Sequence, residues 1–283
     1  MNIATSSVKL GTCSWNYESW VGLVYSKPSK TAAGYLPEYS QHFRTAEVDS
    51  WFYRLPERKD VLEYLGRVDE DFSFTVKVTE DVSLTHKRNR ESKELIPNPS
   101  FLSPEVFSEY IQRIEPMLPQ VDAVMLEFEY LNKDKMKSVD DFMKAIDAFV
   151  ANVPQTIPLA IETRNKNYLV DDYFRFLKEK HLIHVFSEKL FMPHVYEVYE
   201  KYGQYVEGTS VIRLLGGDRA VIEKATGEQW NKLVDEKPDK MRIADMSRDI
   251  KYKGGRVIIN INNHYEGSAP ITAKFFEEAL RAT

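Results

Sequence analysis

The chain has 283 residues, with 38 lysines and arginines against 43 aspartates and glutamates, a formal charge of −5 and a pI of about 5.8. That length fits one large α/β domain or two small ones, and 43% hydrophobic with 29% charged residues is an ordinary globular composition. The acidic balance argues against a broad nucleic-acid surface, the single cysteine, Cys13, excludes an internal disulfide, and no apolar run reaches the roughly 18 residues of a membrane span.

Eight short runs rich in β-branched and aromatic residues lie between turn signals and predict strands. In chain order they are Val8–Trp15, Thr45–Ser50, Phe72–Val78, Ala123–Glu129, Pro158–Arg164, Leu182–Glu188, Ser210–Gly216 and Arg256–Asn263. The segments between them carry helical periodicity. Ser103-Pro104 supplies a cap and a first-turn proline to the third helix. The fourth helix repeats Val139, Phe142, Met143, Ile146, Phe149 and Val150 at 3.6-residue spacing behind Ser138. Val170, Tyr173, Phe174 and Leu177 line the fifth, and Thr226 with Gln229 predicts a capping box that opens the seventh. Phe275, Phe276, Ala279 and Leu280 mark the last.

Strands alternating with helices predict a parallel sheet. Eight such units predict a single closed (β/α)₈ TIM-type barrel over residues 1–283, with an open doubly wound sheet as the alternative. Thr79–Ser103, after the third strand, is too long for an ordinary connection and reads as a lid or binding loop. Met1–Leu10 lacks the apolar core of a signal peptide, and with the lone cysteine this predicts a cytoplasmic protein.

In such a barrel the site lies at the carboxyl ends of the strands. Those ends carry Glu47 and Asp49, Lys77, Glu127 and Glu129, Glu162 with Arg164, Glu188, Arg213, and then Asn260, Asn262, Asn263 and His264. Barrel interiors are normally filled by branched aliphatics, so charge gathered at one end reads as a site. The plainer alternative is a set of ion pairs such as Glu47–Lys77 and Glu162–Arg164 that tie strands together. Carboxylates close to one another have pKa values pushed apart, which suits Glu47 and Glu162 as acid and base. Lys77 fits an anion, a base or a nucleophile, and Arg164 and Arg213 fit a bidentate phosphate or carboxylate clamp.

His86 and His264 follow the third and eighth strands and with the acids admit a divalent metal; ordinary hydrogen bonding in loops is the favoured reading, and no metal site is assigned. Trp15 and Tyr53, among the aromatics after the first two strands, can stack a base or sugar or pack beneath the loops. His86, Lys87, Arg88, Arg90 and Lys93 offer a phosphate-backbone contact, diluted by Glu91 and Glu94. No GxGxxG, GxSxG, HExxH or CxxC motif occurs, so no nucleotide cofactor or serine nucleophile is indicated and the cofactor stays unassigned.

Taken together, Gly11-Thr12-Cys13-Ser14-Trp15, the run Tyr39-x₃-Phe43-x₃-Glu47-Val48-Asp49-x₂-Phe52-Tyr53-Arg54-Leu55-Pro56, and Phe72-x-Phe74-x-Val76-Lys77 resemble the YecE-like family, a domain of unknown function. Glu162-Thr163-Arg164, Arg213-Leu214-Leu215-Gly216 and Asn262-Asn263-His264-Tyr265-Glu266-Gly267-Ser268-Ala269-Pro270 extend the resemblance over nearly the whole chain. It implies a TIM-type barrel and no settled activity. The family's likeness to apurinic-endonuclease and xylose-isomerase barrels points to phosphodiester cleavage by analogy of fold alone. Two positions depart from the family pattern: Glu127 stands where many relatives carry glutamine, and Leu215 where they carry histidine.

The expectation is an enzyme, hydrolase-like, acting on a phosphate-containing or nucleic-acid substrate. Glu47, Lys77 and Glu162 would be catalytic, and Trp15, Asp49, Tyr53, His86, Arg164, Arg213, Asn262 and Asn263 would bind the ligand. The alternatives are a sugar- or glycoside-directed enzyme using paired carboxylates, and a non-catalytic module for a small anion or nucleic acid.

Overall fold

A computed structural model describes residues 7–87 and 94–281. The elements follow in chain order: β1 (Val8–Cys13), α1 (Ala32–His42), β2 (Thr45–Val48), α2 (Arg58–Leu65), β3 (Ser73–Lys77), α3 (Glu80–Ser83), β4 (His86–Lys87) and β5 (Ile96–Pro97). Next come α4 (Pro104–Ile114), β6 (Val121–Glu127), α5 (Val139–Val150), β7 (Leu159–Glu162), α6 (Asp171–Glu179) and β8 (Ile183–Lys189). The chain continues through α7 (Val195–Tyr202), β9 (Thr209–Gly216), α8 (Arg219–Thr226), α9 (Lys240–Tyr252), β10 (Arg256–Ile261) and α10 (Ala269–Arg281).

Eight of the strands close a parallel barrel in the order β1-β10-β9-β8-β7-β6-β3-β2. Each coincides with one of the eight predicted runs. Closure is made by β1 against β10, with Val8 opposite Val257 and Thr12 opposite Ile261. The open-sheet alternative is therefore excluded. Crossover helices cover the outside, as parallel strands require. Ser138 Oγ accepts from the Asp141 amide at 3.1 Å and starts α5, which buries Phe142, Ile146 and Phe149. Ser103 caps α4 in the same way through the Val106 amide.

The expected capping box at Thr226 and Gln229 is absent. Thr226 instead ends α8, its hydroxyl donating to the Ile222 carbonyl at 2.9 Å, and Gly227 follows at φ 60°. That helix starts at Asp218, whose carboxylate accepts from the Ala220 amide. A threonine hydroxyl satisfies a helix carbonyl as readily as a cap amide, so the spacing alone misleads.

Thr79–Ser103 is more structured than its length suggests. It holds α3 and the antiparallel pair β4–β5, with His86 opposite Pro97. Asn98 Nδ2 donates to the Asp81 and Leu84 carbonyls and braces its base. Arg88, Arg90, Glu91 and Lys93, the basic run singled out in the sequence, lie outside the described residues. No helix among the described residues is long and apolar enough to cross a membrane.

Strand alternation sets what fills the barrel. Ala123, Met125, Ala160, Val185, Val211 and Ile258 form an apolar interior layer. One step further along the same inward faces come Glu127, Glu162, Ser187, Arg213 and Asn260. The apolar layer thus seals the barrel beneath a charged one.

Candidate functional site

Arg213 is the centre of the charged layer and is 2% exposed. Its Nε and Nη2 donate to the two oxygens of Glu47 at 2.8 and 2.6 Å. Its Nη1 donates to Glu127 at 2.9 Å and also to Glu162. Arg164 reaches the same two acids from the β7 end, its Nη2 2.8 Å from Glu127 and its Nε 3.2 Å from Glu162. Lys77 Nζ lies 2.7 Å from Glu127 and is paired with Asp49, with the Phe52 ring centroid 5.4 Å away. Asn260 donates to Thr75 at 2.8 Å and to Glu47 at 3.4 Å, closing the layer beside β10.

The titrations follow from this geometry. Burial pushes the Glu47 carboxyl up, against the pull of Arg213 and Lys77. Burial would also raise Glu127, but Lys77, Arg213 and Arg164 together hold it well below the usual carboxylate range. Burial and Arg213 act to lower Lys77, and Glu127, Asp49 and Glu47 outweigh them, so its pKa is raised and the ammonium is firmly protonated. Lys77 is therefore a donor here, and its roles as base or nucleophile do not fit. Burial, then Glu47, raises Cys13, whose Sγ lies 3.7 Å from a Glu47 oxygen.

Six of the expected residues, Glu47, Asp49, Lys77, Glu162, Arg164 and Arg213, thus meet in one network, joined by Glu127. The expected Glu162–Arg164 pair is present; Lys77 pairs with Asp49 and Glu127 rather than with Glu47. Glu47 and Glu162 are completely buried, whereas Asp49 retains 36% side-chain exposure and Arg164 20%. The reachable part of the cluster is consequently Asp49, Arg164 and Glu127, with the buried Lys77 paired to Asp49 and Glu127.

Other expected ligands have different work. Trp15 is buried, donates to the Ala32 carbonyl and packs edge-on against Tyr64, so it supports the loop rather than stacking a ligand. Asn263 accepts from the Ala269 amide and caps α10. Asn262 accepts from the backbone amide and ring of His264, whose other ring nitrogen meets Glu223 at 3.1 Å. His86 bonds Thr85 at 3.0 Å. Glu188 caps α7 through the Val195 amide and His194. Tyr53 is 63% exposed at the mouth. No group of three or more His, Cys, Asp or Glu among the described residues is arranged to hold a metal. A cleft of about 1100 Å³ lies elsewhere, lined by Val8, Leu10, Arg44, Tyr252 and Lys274, and shares no residue with the cluster.

One mouth residue escaped the sequence reading. Lys189 follows Ser187 on the inward face of β8, one residue beyond the predicted end of that strand. The period-2 pattern would have found it had the strand been extended by one position.

Comparison with known proteins agrees with this architecture. A crystal structure of a DUF72 family protein from Enterococcus faecalis at 3.10 Å superposes with a TM-score of 0.69 at 18% identity, covering 98% of this chain and 96% of the other. One from Thermotoga maritima at 2.20 Å gives 0.69 at 18% identity over 97% and 99%. A second Enterococcus faecalis structure, at 2.52 Å, gives 0.61 at 18% over 98% of each chain. At that identity the likeness is one of fold. No functionally curated protein matches the chain. The sequence model described as "Protein of unknown function DUF72" matches residues 9–283, and the chain belongs to that family.

Proposed function

We propose that the chain is an enzyme that works by acid–base chemistry on a small, hydroxyl-bearing substrate at the carboxyl-end mouth of the barrel. The observation that carries this reading is the charge balance of the cluster. Arg213, Lys77 and Arg164 are each already matched to carboxylates among Glu47, Asp49, Glu127 and Glu162. An anionic substrate would have to displace one of those acids and leave it unpaired in a water-poor site, a change that costs on the order of 3–5 kcal/mol. A hydroxyl both donates and accepts, so it can bridge a carboxylate and a neighbouring ammonium or guanidinium without altering the charge. Of the sequence-based alternatives, a sugar-directed enzyme therefore has better support than hydrolysis of a phosphate or nucleic-acid substrate.

Asp49, the most exposed acid of the cluster, is assigned as the proton acceptor, with Lys77 and Arg164 as hydrogen-bond donors that stay protonated. The test is proton exchange. Aldoses and ketoses are incubated with the protein in D₂O, and loss of the C–H signal beside the carbonyl is followed by NMR. Asp49→Asn should slow that exchange by roughly 10²–10⁴-fold without shifting the melting temperature appreciably. If no sugar exchanges while phosphate monoesters are hydrolysed, the reading is wrong.

A further inference from the structure

Lys189 differs from the other cations of the mouth. Arg213, Lys77 and Arg164 are paired, whereas Lys189 Nζ makes no hydrogen bond or ion pair with any described residue. It ends β8 half-buried. Glu162, Glu127 and Arg213 face it from the ends of β7, β6 and β9, Arg164 from the segment after β7, and His264 from the segment after β10. A register shift in the β8–β9 pair leaves Leu215 without a partner and sets Lys189 opposite Gly216; such bulges re-aim side chains next to active sites. Ser187, two residues earlier on the same inward face, is buried with an Oγ that has no hydrogen-bond partner. Among the described residues, an unpaired amine and an unpartnered hydroxyl thus lie two residues apart on one face of β8, beside a network whose cations are all paired.

We propose that Lys189 is a nucleophile that captures the carbonyl group of an aldehyde or ketone substrate as a protonated imine. The proposal rests on the small-substrate reading above and narrows the substrate to a hydroxylated carbonyl compound. Burial first, and then Arg164, lowers the Lys189 amine to about 8, so a useful fraction is neutral near pH 7; desolvation beside another cation is a known route to a reactive lysine. The neutral nitrogen bonds to the carbonyl carbon, the C=O electron pair moves to oxygen, and that oxygen leaves as water. Overall, ammonium and carbonyl give protonated imine and one water, two of the three ammonium protons departing with the oxygen. Ser187 Oγ, which has no hydrogen-bond partner among the described residues, would donate to the oxygen as its charge develops.

The test uses the full chain with glyceraldehyde and sodium borohydride, followed by peptide mass mapping. Hydride adds to the imine carbon and fixes a secondary amine. Lys189 should be labelled at least tenfold more than exposed Lys59, and its labelling should rise through pH 8. Lys189→Arg keeps the charge, should melt as the parent does, and should lose both the label and the solvent exchange of sugars. Labelling of Lys189 no greater than that of Lys59, or full sugar exchange in Lys189→Arg, overturns the imine. Sugar exchange that persists without Lys189 labelling leaves the acid–base reading intact, so the two failures are distinguishable.

Discussion

Arg213 is a buried cation that four donor contacts bind to three acids, and its removal has a calculable consequence. In Arg213→Met, Glu47 loses both of its guanidinium bonds and Glu162 keeps only Arg164. Both carboxylates are completely buried, and breaking such a network on one side costs roughly 3–5 kcal/mol. Thermal melts of the parent and Arg213→Met should show that loss, and the double variant Arg213→Met/Glu47→Leu should regain part of it because the stranded charge goes too. A melt unchanged in the single variant would mean that water reaches the layer. Arg213 is thus the structural half of the cluster, and Asp49, Lys189 and Arg164 are the half a ligand can meet. Glu127 joins the two. Where the resemblance implies glutamine in many relatives, it carries a charge that Lys77, Arg164 and Arg213 all stabilise.

The elements explain how much of this was legible in the sequence. Period-2 alternation put Glu47, Glu162, Arg213 and Lys77 on inward faces, and eight units fixed the closure, so the cluster followed from pattern alone. What pattern does not encode is the last residue of a strand and the partner of each charge. The predicted β8 ended at Glu188, one residue short of Lys189, and a register shift is invisible without the neighbouring strand. Lys189 was lost at that boundary, while Glu188, outward-facing, turned out to cap α7. Asn263 and Trp15 were misread for a related reason: polar and aromatic residues near a site also cap helices and floor loops, and sequence position does not separate the uses. The β8–β9 irregularity depends on Gly216. Its φ is +83°, and a Cβ there would stand 2.2 Å from the His264 carbonyl oxygen. Gly216→Ala must therefore strain the backbone, at roughly 1–3 kcal/mol, and push the segment after β10 away. The expected result is a lower melting temperature together with reduced borohydride labelling at Lys189. Full labelling in a destabilised variant would show that the shift does not aim the lysine.

At the scale of the whole molecule, the question is whether the mouth serves a polyanion or a small neutral substrate. The fold puts chemistry at the carboxyl ends either way, so the charge distribution has to decide. The chain carries −5 overall, and among the described residues the mouth network sets three cations against four acids, with Lys189 a further cation facing it. Basic residues that could meet a phosphate backbone are concentrated in the loop after β3, where Lys87 is exposed and Arg88, Arg90 and Lys93 lie outside the described residues. Even if all of them engaged, the acids around the mouth would repel the rest of a duplex, and each phosphate neutralised contributes about one unit to the slope of log K against log salt concentration. A protein built for duplex DNA makes about 6–10 such contacts. Fluorescence anisotropy with a labelled duplex between 50 and 200 mM salt should therefore give weak binding with a slope of no more than about 2. The same titration on Lys87→Ala should remove about one unit of whatever slope exists, because that contact would come from the loop and not from the mouth. A slope of about 5 or more would mean that the acids at the mouth are screened from the backbone by the rest of the surface. The small-substrate reading would then fall, and the phosphodiester reading would return in its place.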